Sequence, residues 1–258
     1  MVSLLLIQIK MYKLPQITLA FWVMKICATT LGETGGDHLS MTMNIGYAMS
    51  SVILIGFFLI ILGIQLITNK YQPVIYWLVI LATSTAGTTM SDFMDRSLGL
   101  GYASGSAILF TCLVTTLIIW HFTEKSLSVT NIRSRRAEIF YWTAILFSNT
   151  LGTALGDYLA DDSGLGFSGG ALLIGSLLLI IVLLYYFSKL SHIVLFWFAF
   201  VLTRPFGATF GDLLTKTPSK GGLDFGTFGS SMVLLSILTV LIIATTINLK
   251  KERNKELL

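Results

Sequence analysis

Four tryptophans, Trp22, Trp77, Trp142 and Trp197, each precede an aspartate, Asp37, Asp92, Asp157 or Asp212, by fifteen residues. The chain has five tryptophans in all, so a shared register for four of them marks an internal duplication. Other positions keep that register. Gly32, Gly87, Gly152 and Gly207 stand five residues before the aspartate, and Gly36, Ser91, Gly156 and Gly211 stand immediately before it. Seven before it are Thr30, Thr85, Thr150 and, in the last copy, Pro205. A second glycine element follows at Gly46, Gly101, Gly166 and, more loosely, Gly226. Such a chain must fold as four similar units. The outer pairs of aspartates are each 55 residues apart and the middle pair 65, which places a join between two halves at the basic stretch Thr123–Arg136.

Composition decides the medium. Hydrophobic residues make up 54% of the 258 and charged residues 12%, against the roughly 25% charge of a soluble domain. Mean hydropathy is +0.81. A bilayer crossing needs roughly 20 mostly apolar residues, and turn signals divide the chain into eight such segments. They lie near Leu14–Asp37, Gly46–Ile67, Val74–Asp92, Tyr102–Phe122, Ala137–Asp157, Phe167–Phe187, Ile193–Asp212 and Gly226–Leu249. The expected fold is all-α: a polytopic membrane bundle of eight helices in a single membrane domain spanning 1–258. Its tandem two-helix repeats run over about 14–67, 74–122, 137–187 and 193–249, pseudo-symmetric about the membrane normal. The runs are too long for the strands of a membrane barrel.

Seventeen lysines and arginines give a net charge of +4. Twelve fall on one side of this arrangement, three (Arg96, Lys216 and Lys220) on the other, and Lys25 and Arg204 within helices. That bias places both termini in the cytoplasm and speaks against a nucleic-acid face. Cys27 and Cys112 lie in apolar runs and form no disulfide framework. The first ten residues lack the leader and cleavage site of a signal peptide, and Met11 is an alternative initiator.

The stretch Phe21-Trp22-Val23-Met24-Lys25 through Thr29-Thr30-Leu31-Gly32-Glu33-Thr34-Gly35-Gly36-Asp37 resembles a group of bacterial integral membrane proteins. These are built from four tandem two-helix units and known as a repeat of unknown function with a characteristic tryptophan. The resemblance covers nearly the whole chain from Met11 and implies an inner-membrane protein. It implies no activity.

Function must therefore come from the residues. On an ideal helix Asp37, Glu33, Thr30, Thr29 and Trp22 share one broad face, with the small residues beside it. Small-xxx-small ridges bring membrane helices close, so four polar stripes can meet at one axis. The glycines read as packing and the tryptophans as interfacial anchors. An aspartate ending a helix opposes the helix dipole, which calls for a positive neighbour. Glu33 and the four aspartates against Lys25 and Arg204 leave −3, and charge of that kind in lipid binds cations, takes up protons or faces water. Pro205 removes a backbone hydrogen bond to Val201. With Arg204 beside it, the fourth copy has either a gating hinge or a base that simply neutralises Asp37 or Asp212.

The leading expectation is a secondary transporter of a small cation, divalent, with manganese first and magnesium or calcium next by ligand hardness. Proton coupling fits carboxylates that alternate between metal and proton. Asp37, Asp92, Asp157, Asp212 and Glu33 are the expected metal ligands. Lys25, Arg204, Thr30, Thr85, Asn149, Thr150, Trp22, Trp77, Trp142 and Trp197 line the expected substrate pathway, with Lys25 and Arg204 filling the empty site. Beyond that metal no cofactor is expected, and the expected partners are the lipid bilayer and the small cation, with no nucleic acid. No copy has the Gly-x-Gly-Asp pattern of intramembrane aspartyl proteases, and no nucleophile, zinc or phosphate motif occurs, so an enzyme is not expected. A transporter of a small organic ion, gripped by Lys25 and Arg204, and a non-transporting sensor or partner subunit stay open. His38 reads as solvated more readily than as a ligand.

Overall fold

The computed structural model describes residues 14–256 apart from 69, 130, 131 and 133, with side chains described as far as 251. The choice of initiator, Lys10, Lys13 and Arg133, and the side chains of Arg253 and Lys255, among the orientation signals, lie outside what is described. Among the described residues eight α-helices follow the repeat: α1 (Leu19–Asp37), α2 (Tyr47–Ile67), α3 (Pro73–Asp92), α4 (Tyr102–Glu124), α5 (Arg135–Asp157), α6 (Gly166–Phe187), α7 (His192–Thr215) and α8 (Thr227–Glu256). No strand occurs among the described residues. Six of the helices, all but α1 and α5, are long and apolar enough to cross a membrane. The other two carry charge along their length, Lys25, Glu33 and Asp37 in α1 and Arg135, Arg136, Glu138 and Asp157 in α5.

Local chemistry sets the boundaries. Thr18 caps α1 by accepting from the Phe21 N–H, and Ser134 caps α5 by accepting from Ala137. Pro73 opens α3, where its missing N–H costs nothing. Gly46, Gly101, Gly166 and Gly226 take φ of 82°, 72°, 67° and 72° at the openings of α2, α4, α6 and α8. That backbone strongly favours glycine, so the fourth element, loose in sequence, matches the others in conformation.

The aspartates do not end their helices as expected. In the first three copies one π-helical turn continues past them, over His38–Thr42, Phe93–Ser97 and Tyr158–Asp162. In the fourth the α-helix itself runs on to Thr215. Each aspartate therefore has room for a residue four positions later on the same face.

Helices α1, α3, α5 and α7 form a closed ring, each packed on the next and α7 returning to α1. Around it α2 lies on α3, α4 on α5, α6 on α7 and α8 on α1. Each outer helix thus covers the inner helix of the following copy. The glycine ridges make the ring tight. A Cβ on Gly32, Gly87, Gly152 or Gly207 would strike Ser84, Asn149, Arg204 or Thr29 of the adjoining inner helix. Gly36, Gly156 and Gly211 meet Thr88, Ala208 and Glu33 in the same sense. The packing role read from the sequence holds, and it also directs particular polar residues inward.

Candidate functional site

Stepping back from each aspartate in fours gives one row per inner helix: Phe21, Lys25, Thr29, Glu33 and Asp37 in α1, and Tyr76, Ile80, Ser84, Thr88 and Asp92 in α3. In α5 the row is Tyr141, Ile145, Asn149, Thr153 and Asp157, and in α7 Phe196, Phe200, Arg204, Ala208 and Asp212. Every member is buried. Such rows are inclined by about 26° to a helix axis, so a tilt of that order keeps a row facing the ring axis throughout. Across the ring the rows make five layers.

The layer farthest from the aspartates is aromatic. The Tyr76 and Tyr141 hydroxyls lie 2.7 Å apart, and the Phe21 and Phe196 ring centroids 6.4 Å apart. Trp77 packs edge-on to Tyr76, and Trp142 against Tyr141 and Tyr76. Trp77 and Trp142 expose no surface and Trp197 very little, so these three are not interfacial anchors. The repeated tryptophans instead brace the aromatic layer. Trp22, half-buried, packs edge-on to Phe21 and tilted against Phe196.

In the next layer the Lys25 ammonium donates to Asn149 Oδ1 at 3.3 Å and sits 4.0 Å from the Phe200 ring centroid. Asn149 in turn donates to Thr83 Oγ1 at 2.9 Å. No carboxylate among the described residues pairs with Lys25. It lies twelve residues, about 18 Å along the helix, from Asp37.

All four inner helices meet at Arg204, which is 0% exposed. Its guanidinium pairs with Glu33 at 2.9 Å and donates to the Thr88 and Thr153 hydroxyls and the Ser84 and Thr29 carbonyls. Thr88 and Thr153 also donate to the same Glu33 oxygen. This bolt closes the middle of the axis. Gly152 makes room for it.

The aspartate layer is divided into two pairs, each bridged by a base that the lysine and arginine bias assigns to the outer side. Arg96 reaches Asp92 at 2.9 Å and Asp157 at 3.2 Å. Lys216 reaches Asp37 at 2.5 Å and Asp212 at 3.0 Å. Both bases stand four residues after an aspartate, so they extend the same rows by one step. That was the available signal: charge of opposite sign at i, i+4. It also supplies the positive neighbour that the helix dipole called for. Burial acts to lower the Lys216 pKa, but Asp212 and Asp37 outweigh it and hold the ammonium above the ordinary lysine range.

The charge count changes accordingly. Five carboxylates face Arg204, Arg96, Lys216 and Lys25, which leaves −1 in place of −3. Since Lys25 is remote, each aspartate pair with its bridging base carries −1 if all groups are ionised. Glu33, Asp37 and Asp212 offer oxygens within 4.8 Å of one another, so a point within roughly 2.8 Å of all three exists, close to the 2.3–2.6 Å of calcium–oxygen bonds. Thr85 and Thr150 do not reach the axis: their hydroxyls return to carbonyls of their own helices. The Thr30 hydroxyl is buried without a hydrogen-bond partner among the described residues. His38 meets the Thr227 hydroxyl at 3.0 Å, away from the carboxylate cluster.

Comparison with known families finds four tandem matches, at residues 20–71, 75–126, 140–191 and 195–248, to a family described as Repeat of Unknown Function (DUF347). The chain belongs to that family. The matched segments coincide with the α1–α2, α3–α4, α5–α6 and α7–α8 units of this DUF347 chain. No curated protein and no solved structure matches it.

Proposed function

We propose that this protein is a secondary transporter of a small divalent cation, with manganese the first candidate, working in exchange with protons. The reading places it in a bacterial inner membrane with both termini cytoplasmic, on the lysine and arginine bias of the sequence. It involves no enzymatic chemistry. One observation carries it: the carboxylates of all four copies lie buried in one layer on the ring axis, under-neutralised by the bases that touch them. Such a layer takes up cations or protons.

The half holding Glu33, Asp37 and Asp212 fits a divalent ion best. Glu33 and Arg204 cancel, so a divalent ion set between Asp37 and Asp212 brings that half to zero, whereas the Lys216 ammonium leaves −1. Oxygen donors alone suit magnesium, manganese and calcium. Passage beyond the layer requires the Arg204–Glu33 bolt to part, and Pro205, beside Arg204 in the middle of α7, supplies a helix turn short of one hydrogen bond. Beyond it the aromatic layer bars the other end.

The test is manganese uptake into proteoliposomes. Asp37→Asn and Asp212→Asn abolish it, while Asp161→Asn, at an exposed acid, does not. Equal flux in all of these, or none with any divalent ion, removes the proposal. A second reading, a small organic anion, draws on Lys25, a buried base whose partners are neutral. Under it, uptake of a carboxylic acid depends on Lys25 and not on Asp212.

A further inference from the structure

The two halves of the aspartate layer differ in how their bridging base is held. Arg96, though 30% exposed, is held by four groups: Nε meets Asp92, Nη2 Asp157 and Nη1 the Tyr47 hydroxyl at 3.5 Å, and the guanidinium lies 5.6 Å from the centre of the Tyr102 ring. Lys216 is anchored differently. Its backbone is pinned at the end of α7, the N–H donating to the Asp212 carbonyl at 2.8 Å and the carbonyl accepting from Asp224 at 3.0 Å. The returning loop is tied on either side by Leu223 N–H to the Leu213 carbonyl and Phe225 N–H to the Leu214 carbonyl. Beyond the backbone, the ammonium meets the two aspartates and, at 3.9 Å, the Met41 sulfur. A flexible four-carbon stem on a fixed base can swing aside without moving a helix.

The halves differ in ligands too. Four residues before the aspartates stand Glu33, Thr88, Thr153 and Ala208, so only the Lys216 half has a third carboxylate, and its oxygens converge with those of Asp37 and Asp212. A cationic group already rests against two of those carboxylates.

We infer that Lys216 is a tethered competitor for the cation site: its ammonium holds the place a divalent ion takes, and the ion enters by displacing it, while Arg96 is a fixed clamp on the other half. This rests on the cation-carrier reading above and adds a control on that site, since affinity is set by how often the ammonium is away. Displacement also raises the local charge by one when a divalent ion replaces the monovalent ammonium, which favours divalent over monovalent guests.

The experiment is Mn²⁺ binding to the purified full-length protein in detergent, read from the electron paramagnetic resonance signal of free Mn²⁺. If the ammonium occupies the site about nine-tenths of the time, Lys216→Met and Lys216→Gln each tighten binding roughly tenfold, because apparent affinity scales with the competent fraction. Lys216→Arg keeps a tethered cation and stays near wild type. If both neutral variants bind no tighter than wild type while Asp37→Asn abolishes binding, the competitor role falls and the cation site stands. If neither wild type nor Lys216→Met binds Mn²⁺, or Asp37→Asn makes no difference, both fall together. Failure of both neutral variants to fold also overturns the inference, since a group the fold requires is not a displaceable one.

Discussion

Glu33→Gln removes one charge from the centre of the ring and leaves its partner in place. Arg204 then remains fully buried with hydroxyl, carbonyl and amide neighbours but no anion. Breaking a buried pair from one side costs about 3–5 kcal/mol, and for a chain of this size each kcal/mol moves the melting temperature by about 2–4 °C. The expected loss is therefore roughly 6–20 °C. The double variant Glu33→Leu/Arg204→Met takes away both charges and restores apolar packing, and exchanges of that kind are often neutral or stabilising. It should recover at least half of the lost melting temperature. Thermal unfolding of detergent-purified protein, followed by intrinsic tryptophan fluorescence, measures both. If Glu33→Gln melts within about 2 °C of wild type, Arg204 has another anion or reaches water, and the bolt described above does not exist.

Gly152→Ala places a methyl group against the Arg204 stem and Pro205, and overpacking of this kind costs about 1–3 kcal/mol. Gly63→Ala on α2 meets nothing within 4 Å and should gain about 0.5–1 kcal/mol; melting temperatures that fail to separate the two refute the ring packing. Tyr76→Phe strands the Tyr141 hydroxyl and costs about 1–3 kcal/mol, whereas Tyr76→Phe/Tyr141→Phe costs less than the single change, a non-additivity that a double-mutant cycle detects. Lys216 is held above the ordinary lysine range despite its burial, through Asp212 and Asp37. A raised folded-state pKa means its contribution is complete below the unfolded value and is lost only as pH rises through the folded one. The bridge thus survives mildly alkaline solution, and a fall in melting temperature there that Lys216→Arg abolishes would show otherwise.

Much of this was legible in the residues. The tryptophan–aspartate register fixed the number of copies, and hydropathy placed all eight helices, within three residues at every end but the start of α1, which is Leu19 and not Leu14, and the end of α8, which is Glu256 and not Leu249. The convergence of Asp37, Asp92, Asp157 and Asp212 on one axis followed from the small-residue ridge beside them. Arg96 and Lys216 were missed because topology counting treats bases beyond a helix as water-facing, and the extra turn after each aspartate is not visible in hydropathy. The tryptophans misled for a related reason. Interfacial preference is a statistical rule for lipid-facing rings, and Trp77 and Trp142 face protein. Nor does the order of elements along the chain disclose that an outer helix covers the next copy instead of its own.

That displaced covering has a consequence for biogenesis. Of the described helices α1 is made before the rest, yet α8, which shields it, follows the other seven, and the arginine that answers Glu33 arrives only with α7. During synthesis α1 therefore waits half-clothed, with its acids unmatched, until α7 and α8 emerge and the circle locks. Stopping translation before Thr227 should leave seven helices that cannot settle, and joining the two ends while opening the chain near Thr123–Arg136 should leave the assembly intact.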